Sequence, residues 1–151
     1  MLKYLKWDIV FQEIPNETSL AIAISGCQIQ CRGCHSRDLW EDKGINLTIG
    51  EINRLLLDQK GATCLLLLGG EHDIDALTEL FMYFHSRIKT AWYCGLDMIP
   101  KDKTGILSYL DFLKLGRFEI EYGPLNDPNT NQKFYKVKNG LLYECTSLFW
   151  K

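Results

Sequence analysis

The chain has no long hydrophobic run and no excess of basic residues. No stretch approaches the ~18 apolar residues that a membrane-spanning helix needs. The 17 Lys and Arg residues are opposed by 19 Asp and Glu, and a formal net charge of -2 is not that of a nucleic-acid-binding surface. The segment MLKYLKWDIVFQ carries Asp8 and Gln12 within its apolar pattern, and so lacks the core of a signal peptide. We therefore expect a cytoplasmic protein that acts without a membrane or a nucleic acid.

Internal repeats, low-complexity segments and linkers are also missing. With 151 residues, of which 46% are hydrophobic, the chain is expected to form one domain over residues 1–151. The apolar pattern predicts strands at 4–11, 19–25, 64–68 and 90–94, helices at 48–59, 73–87 and 106–112, an extended segment at 118–122, and a closing hairpin at 134–137 and 141–143. Strands that alternate with helices predict an α/β fold with a largely parallel sheet, closed only in part at this length.

Three of the six cysteines lie close together in the segment SGCQIQCRGCHS, as Cys27, Cys31 and Cys34. Their C-x3-C-x2-C spacing would also align them on one helical face, but Gly26 and Gly33 disfavour a helix here. A loop can wrap three thiolates around a compact centre. If that centre is a 4Fe-4S cluster, three cysteines leave one iron open, and an open iron is a place for chemistry. A disulfide framework would need a secreted context, and the sequence shows none.

Other candidate residues follow the predicted core strands. Gly69, Gly70 and Glu71 come directly after the strand at 64–68, and Tyr93 and Cys94 end the strand at 90–94. The carboxyl ends of parallel strands are where α/β sheets bind ligands, and the cysteine loop follows a strand in the same way. Two glycines let a ligand approach the backbone, and a carboxylate accepts hydrogen bonds from an ammonium group. Each motif alone is more often a turn or a packing residue.

These motifs together give the chain a family resemblance. The cysteine loop and the later Gly-Gly-Glu strand end resemble those of the radical S-adenosylmethionine (SAM) enzymes. The resemblance is closest to the small activating component of anaerobic, class III ribonucleotide reductase. It runs through most of the chain in five stretches, IAISGCQIQCRGCHSRDLW (22–40), LLLLGGE (65–71), AWYCG (91–95), LKLGRFEIEYGPL (113–125) and TNQKFYKV (130–137).

The resemblance implies a fold, two cofactors and a set of site residues. The fold would be an incomplete, open β/α barrel of the radical SAM type. The cofactors would be one 4Fe-4S cluster and SAM. The residues implied are Cys27, Cys31 and Cys34 for the cluster, and Gly69, Gly70, Glu71 and Tyr93 for SAM.

The resemblance also implies an oxidoreductase mechanism and partners. The reduced cluster would pass an electron to SAM, giving methionine and a 5'-deoxyadenosyl radical, which would take a hydrogen atom from a glycine. That glycine would belong to the large subunit of the anaerobic reductase, since a chain this short cannot form a barrel around a sizeable substrate. Flavodoxin or ferredoxin would supply the electron, in an anaerobic setting.

Several residues depart from the wider pattern or have no assigned role. Gly33 stands where many radical SAM loops have an aromatic residue, but the reductase activators resemble this chain in having glycine there. Cys94 stands where those activators tend to have a small hydroxyl residue. His35 adjoins a candidate ligand, whereas His72 and His85 are expected to be structural. A second cysteine cluster is missing, which argues against enzymes with auxiliary clusters.

Three alternatives to the reductase activator remain open. A different radical SAM enzyme, such as an activator of another glycyl radical enzyme or a deazapurine-forming synthase, would share the cofactors. A structural zinc site formed by the three loop cysteines with His35 would give a binding module. A thiol-disulfide module built on Cys31 and Cys34 is weakened because no helix N-terminus is evident to lower a thiol pKa.

Overall fold

The computed structural model describes residues 2–26, 39–119 and 121–150 of the chain. The strands are β1 (Lys3–Val10), β2 (Ser19–Ile24), β3 (Ile45–Asn46), β4 (Cys64–Leu68), β5 (Lys89–Tyr93), β6 (Phe112–Leu115), β7 (Lys133–Lys138) and β8 (Leu141–Glu144). The α-helices are α1 (Ile49–Asp58) and α2 (Ile74–Phe84), and shorter 3-10 segments lie at Glu71–Asp73, Lys101–Tyr109 and Thr146–Phe149. No helix within the described ranges has the length and apolar character needed to cross a membrane.

The described strands form one mixed sheet in the order β3-β1-β2-β4-β5-β6-β7-β8. Its centre is parallel, because β2, β4, β5 and β6 pair side by side in the same direction. Antiparallel pairs extend it on both sides, with β1 and β3 on one flank and the β7–β8 hairpin on the other. The α/β class and the parallel centre agree with the sequence prediction. The sheet is open among these residues, with β3 and β8 at its edges, and closure into an incomplete radical SAM-type barrel stays a prediction.

Both α-helices begin at a side-chain cap, at the first residue of the ranges predicted from the sequence, 48–59 and 73–87. Thr48 accepts a hydrogen bond from the Glu51 N–H at 3.1 Å, and Asp73 accepts one from the Ala76 N–H at 3.2 Å. The Glu51 carboxylate does not return to Thr48 as in a full capping box. It accepts hydrogen bonds from the Tyr4 hydroxyl and the Arg54 guanidinium instead, both at 2.6 Å. These two bonds, that of Arg54 foremost, lower the pKa of Glu51 from 4.5 to about 2.

Alternating side chains on the central strands divide the core between two faces of the sheet. The helical face is covered by α1, α2 and Lys101–Tyr109, and its strand residues include Ile22, Ile24, Leu65, Leu67, Trp92 and Leu113. The opposite face is covered by loops and the C-terminal elements, and its core comprises Ile14, Ala21, Cys64, Leu66, Ala91, Phe112, Leu125 and Phe134. Both faces of β2 are buried along its whole length, as its continuous apolar sequence predicts.

The region around β6 corrects two predictions. A helix was expected at 106–112, but the 3-10 segment Lys101–Tyr109 is followed by a strand that already includes Phe112. An extended segment was expected at 118–122. Residues 121 and 122 lie in a turn instead, and the Glu119 carbonyl accepts hydrogen bonds from the N–H groups of Tyr122 and Gly123. The apolar residues here have helical spacing, but tertiary pairing outweighs it. Parallel pairing with β5 places Leu113 beside Trp92 in the core of the helical face.

The closing hairpin is confirmed. Strands β7 and β8 pair antiparallel, with Lys138 opposite Leu141 across a two-residue turn. Asn139 and Gly140 occupy that turn with φ angles of 53° and 76°. Two successive positive φ angles match the right-handed twist of the flanking strands, which is why an Asn-Gly pair predicts this turn so well.

Candidate functional site

The candidate motifs lie at one edge of the sheet. The register of the parallel strands places Ala23 of β2 beside Leu68 of β4, Leu68 beside Tyr93 of β5, and Tyr93 beside Lys114 of β6. The segments that follow these residues therefore leave the sheet at the same level. The predicted alignment of the carboxyl ends of β2, β4 and β5 is confirmed, whereas the position of the cysteine motif itself lies outside the described residues.

The described residues on either side of the cysteine segment are joined by hydrogen bonds. Cys27, Cys31 and Cys34 themselves lie outside the described residues, as do His35 and Gly33. Before the segment, the Ser25 hydroxyl donates to the Lys43 carbonyl at 2.5 Å, and the Gly26 N–H donates to the Glu41 carbonyl at 3.1 Å.

These bonds join the chain just before the cysteines to the chain just after them. Gly26 has a φ of 82°, a conformation that favours glycine. The end of β2 and the chain at residues 41–43 are therefore held side by side at this edge of the sheet.

The two glycines after β4 hold a tight turn. Gly69 and Gly70 have φ angles of 93° and 87°. The Gly69 N–H donates to the Tyr93 carbonyl at 3.0 Å, and the Gly69 carbonyl accepts from the Trp92 indole N–H at 2.7 Å. A Cβ on Gly70 would come within 3.1 Å of both δ carbons of Leu77. Gly70 is therefore required by the turn and by the core beneath it.

Glu71 directs its carboxylate toward the end of β5. Its Oε1 accepts a hydrogen bond from the Gly95 N–H at 2.6 Å, which ties the loop after β4 to the loop after β5. Its Oε2 lies 3.9 Å from the position that a Cβ of Gly69 would occupy, and the Ile24 carbonyl oxygen lies 3.4 Å from the same position. Two acceptor oxygens thus flank the Gly69 turn at the end of β2. A carboxylate with one backbone donor retains lone pairs for a cationic ligand.

Tyr93 has a structural partner. Its hydroxyl donates a hydrogen bond to the Glu13 carbonyl, and the Lys114 ammonium lies 5.0 Å from its ring centroid. Burial is the main reason that the pKa of Tyr93 is raised. The ring packs against the core of the opposite face, so its hydroxyl serves to hold the segment that precedes β2. Contact with a ligand stays a prediction for the ring.

The described cysteines are not a second cluster of ligands. Cys64 lies in the core of the opposite face and Cys94 in that of the helical face, so the sheet separates them. Burial raises the pKa of each thiol to about 12, which keeps both protonated. Burial also raises the pKa of Cys145. Within the described ranges, no group of three or more His, Cys, Asp or Glu side chains is arranged to hold a metal.

One contact at the site involves a residue that the sequence did not single out for it. A Cβ built on Gly26 would lie 3.2 Å from Cε1 and 3.3 Å from Nε2 of His72. The imidazole therefore rests against the residue that precedes Cys27. The only hint in the sequence is that His72 follows Glu71, because the contact joins residues far apart in the chain.

Comparison with protein families identifies the type of cofactor. The model of the 4Fe-4S single cluster domain matches residues 18–137, which is most of the chain. The chain belongs to this family of iron-sulfur proteins, and its cofactor is a 4Fe-4S cluster. Comparison with curated proteins gave no match.

The donor set of the chain fits this cofactor. Thiolates are the usual protein ligands of 4Fe-4S clusters, and the matched range contains three closely spaced cysteines. The protonated thiols of Cys64 and Cys94 are unsuited to the role, since each is enclosed in a separate core. The described residues that flank the cysteine segment, Gly26 and the chain from Leu39, belong to the strand-end edge and its hydrogen-bonded connection.

Proposed function

We propose that the chain is a radical SAM activating enzyme that generates the glycyl radical of anaerobic, class III ribonucleotide reductase. One observation carries the proposal. In a chain that belongs to the 4Fe-4S single cluster family, a C-x3-C-x2-C segment follows β2, and the neighbouring strand β4 ends in Gly69, Gly70 and Glu71 at the same edge. A cluster site and a site for a cationic ligand are then adjacent.

In this proposal Cys27, Cys31 and Cys34 each bind one iron of the cluster. The bound cluster supplies the electron that cleaves SAM to methionine and a 5'-deoxyadenosyl radical. Three protein thiolates leave one iron for the methionyl group of SAM. The hydrogen bonds from Ser25 and Gly26 to the returning chain fix the point from which these thiolates project.

Glu71 binds the ammonium group of SAM in the proposed complex. Its Oε1 is oriented by the Gly95 N–H at 2.6 Å, so the carboxylate is held in place before the ligand arrives. Oε2 and the Ile24 carbonyl present acceptor oxygens beside Gly69, where the absence of a side chain leaves the backbone accessible. Tyr93 contributes its ring as part of the wall, since its hydroxyl is engaged by Glu13.

The group that is activated belongs to a second protein. Among the described residues, the opposite face of the sheet is filled by apolar side chains, including Leu66, Leu125 and Phe134. Because the described part of this face leaves no room for a substrate, its packing supports a site that opens at the strand-end edge. A loop of the large reductase subunit would enter the site there. We also propose that the sheet is the wall of an incomplete radical SAM-type barrel, and that flavodoxin or ferredoxin supplies the electron.

The proposal is tested by transfer of the radical. The reconstituted protein is mixed anaerobically with SAM, a reductant and the large subunit of a class III ribonucleotide reductase. We expect methionine, 5'-deoxyadenosine and a stable glycyl radical by electron paramagnetic resonance (EPR). Replacing the acceptor glycine of the large subunit with alanine is the matched control, and it should remove the radical signal.

If SAM is cleaved but the parent pair gives no glycyl radical, the chain is a radical SAM enzyme with a different substrate. If the protein is colourless and binds zinc without iron, the cluster-based account is wrong as a whole.

A further inference from the structure

The 3-10 segment Glu71–Asp73 connects three neighbouring strand ends. It follows β4 directly. Glu71 reaches the loop after β5 through the Gly95 N–H, at 2.6 Å. His72 points the other way and rests on Gly26, the last described residue after β2. Adjacent side chains thus contact the loops on both sides of the turn.

His72 is exposed, yet its ring packs on a backbone that is already held in place. Gly26 has a φ of 82° and hydrogen-bonds through its N–H to Glu41, so its backbone is fixed on one side. The imidazole lies 3.2 Å and 3.3 Å from the position of a Cβ on Gly26, and the Cβ of Asp42 lies 3.5 Å from the same position. The separations from the imidazole are tighter than ordinary van der Waals contact, so a side chain at residue 26 would push the ring aside by a few tenths of an ångström.

We propose that His72 is a positioning residue for the iron-sulfur cluster. By packing on Gly26, its ring supports the backbone of the residue that directly precedes the first proposed ligand, Cys27. The same turn carries Glu71, so this packing also sets the distance between the cluster loop and the carboxylate. The inference rests on the proposed assignment of the cluster to Cys27, Cys31 and Cys34, but it needs neither SAM nor a partner.

The test follows release of iron from the reconstituted protein to a chelator under anaerobic conditions. His72→Ala removes the ring, whereas His72→Phe keeps a ring of similar size without its nitrogens. We expect iron release from His72→Ala to be faster by about fivefold or more, which corresponds to about 1 kcal/mol, and from His72→Phe to be close to that of the parent. The EPR spectrum of the reduced cluster should broaden in His72→Ala and be restored in His72→Phe.

His85→Ala is the matched control. His85 is also exposed, but its ring packs edge-to-face against Tyr109 at 5.1 Å, away from Gly26. Its loss should leave iron release unchanged. Because the mechanism is local, the midpoint of urea unfolding should be the same in His72→Ala and the parent.

Three results would overturn the inference. One is iron release from His72→Ala at the rate of the parent. A second is failure of His72→Phe to restore slow release, which would show that an imidazole nitrogen is needed rather than the packing of a ring. The third is a lowered urea midpoint in His72→Ala, which would attribute iron loss to general destabilisation. Failure of the cluster assignment is distinguishable, because Cys31→Ala would then retain iron.

Discussion

Substitution of Gly70 should destabilise the fold independently of any ligand. Gly70→Ala places a Cβ at a residue with a φ of 87°, and it brings that atom within 3.1 Å of the δ carbons of Leu77 and 3.2 Å of Cδ1 of Ile24. The left-handed conformation costs a non-glycine residue about 1–2 kcal/mol. Crowding in a packed core costs about 1–3 kcal/mol more. The neighbouring side chains are buried but have mobile ends, so we expect a total of about 2–4 kcal/mol.

The measurement is urea unfolding followed by far-ultraviolet circular dichroism under anaerobic conditions, without SAM. Gly61→Ala is the matched control, since a Cβ at that glycine meets nothing within 4 Å and its φ is not positive. This substitution should be neutral or stabilise the protein by up to about 1 kcal/mol. The usual cost of left-handed strain is well above about 0.5 kcal/mol. If the free energy of unfolding of Gly70→Ala is within about 0.5 kcal/mol of that of the parent, the account of this turn is therefore wrong. If the account holds, a loss of SAM binding in a Gly70 variant cannot be attributed to a lost ligand contact, because the fold itself is destabilised.

Three further predictions concern the cysteine ligands of the cluster, the affinity for SAM and the dependence of stability on pH. Alanine at Cys27, Cys31 or Cys34 should abolish stable iron binding, and retention of iron in Cys31→Ala would contradict the ligand set. Alanine at the three described cysteines, Cys64, Cys94 and Cys145, should leave iron binding unchanged. Glu71→Gln keeps an acceptor for Gly95 but removes the charge, so SAM binding, measured by the SAM-induced change in the cluster EPR signal, should weaken by about 1.5–3 kcal/mol with iron unchanged. The exposed Glu79→Gln is its control, and equal SAM affinity in the two variants would refute a role for Glu71. The pKa of Glu51 is lowered to about 2, so its stabilisation is present above pH 4.5 and is lost as the pH falls toward 2. Urea midpoints between pH 6 and pH 3 should therefore fall less in Glu51→Gln than in the parent, and equal slopes would exclude this carboxylate as a cause.

Local interactions account for what the sequence predicts well. Thr48 and Asp73 cap their helices through N–H groups three residues away, and Asn139 with Gly140 forms the hairpin turn alone. The alignment of motifs at one sheet edge follows from parallel pairing, which the alternation of apolar strands and helices predicts. These features depend on near neighbours or on a general rule of the fold.

Contacts between distant residues account for the rest. The strand β6 contains Phe112, which an apolar helical spacing placed in a helix, because pairing with β5 decides its conformation. The bond from Tyr93 to Glu13 and the contact of His72 with Gly26 join separate loops. No local pattern signals such contacts. The sequence likewise gives no sign that Leu77 packs where a Cβ of Gly70 would lie, and the role of Gly70 toward a ligand stays a prediction.

The central claim is that three loop cysteines hold one 4Fe-4S cluster that binds SAM at its open iron. The most direct measurement combines iron and sulfide content with the EPR spectrum of the anaerobically reconstituted, reduced protein, before and after SAM is added. The account predicts four irons and four sulfides per chain, as the family's single cluster requires, and a spectrum that changes with SAM. Two results would contradict it: a complete cluster whose EPR spectrum does not change when SAM is added, or an iron content in Cys31→Ala equal to that of the parent.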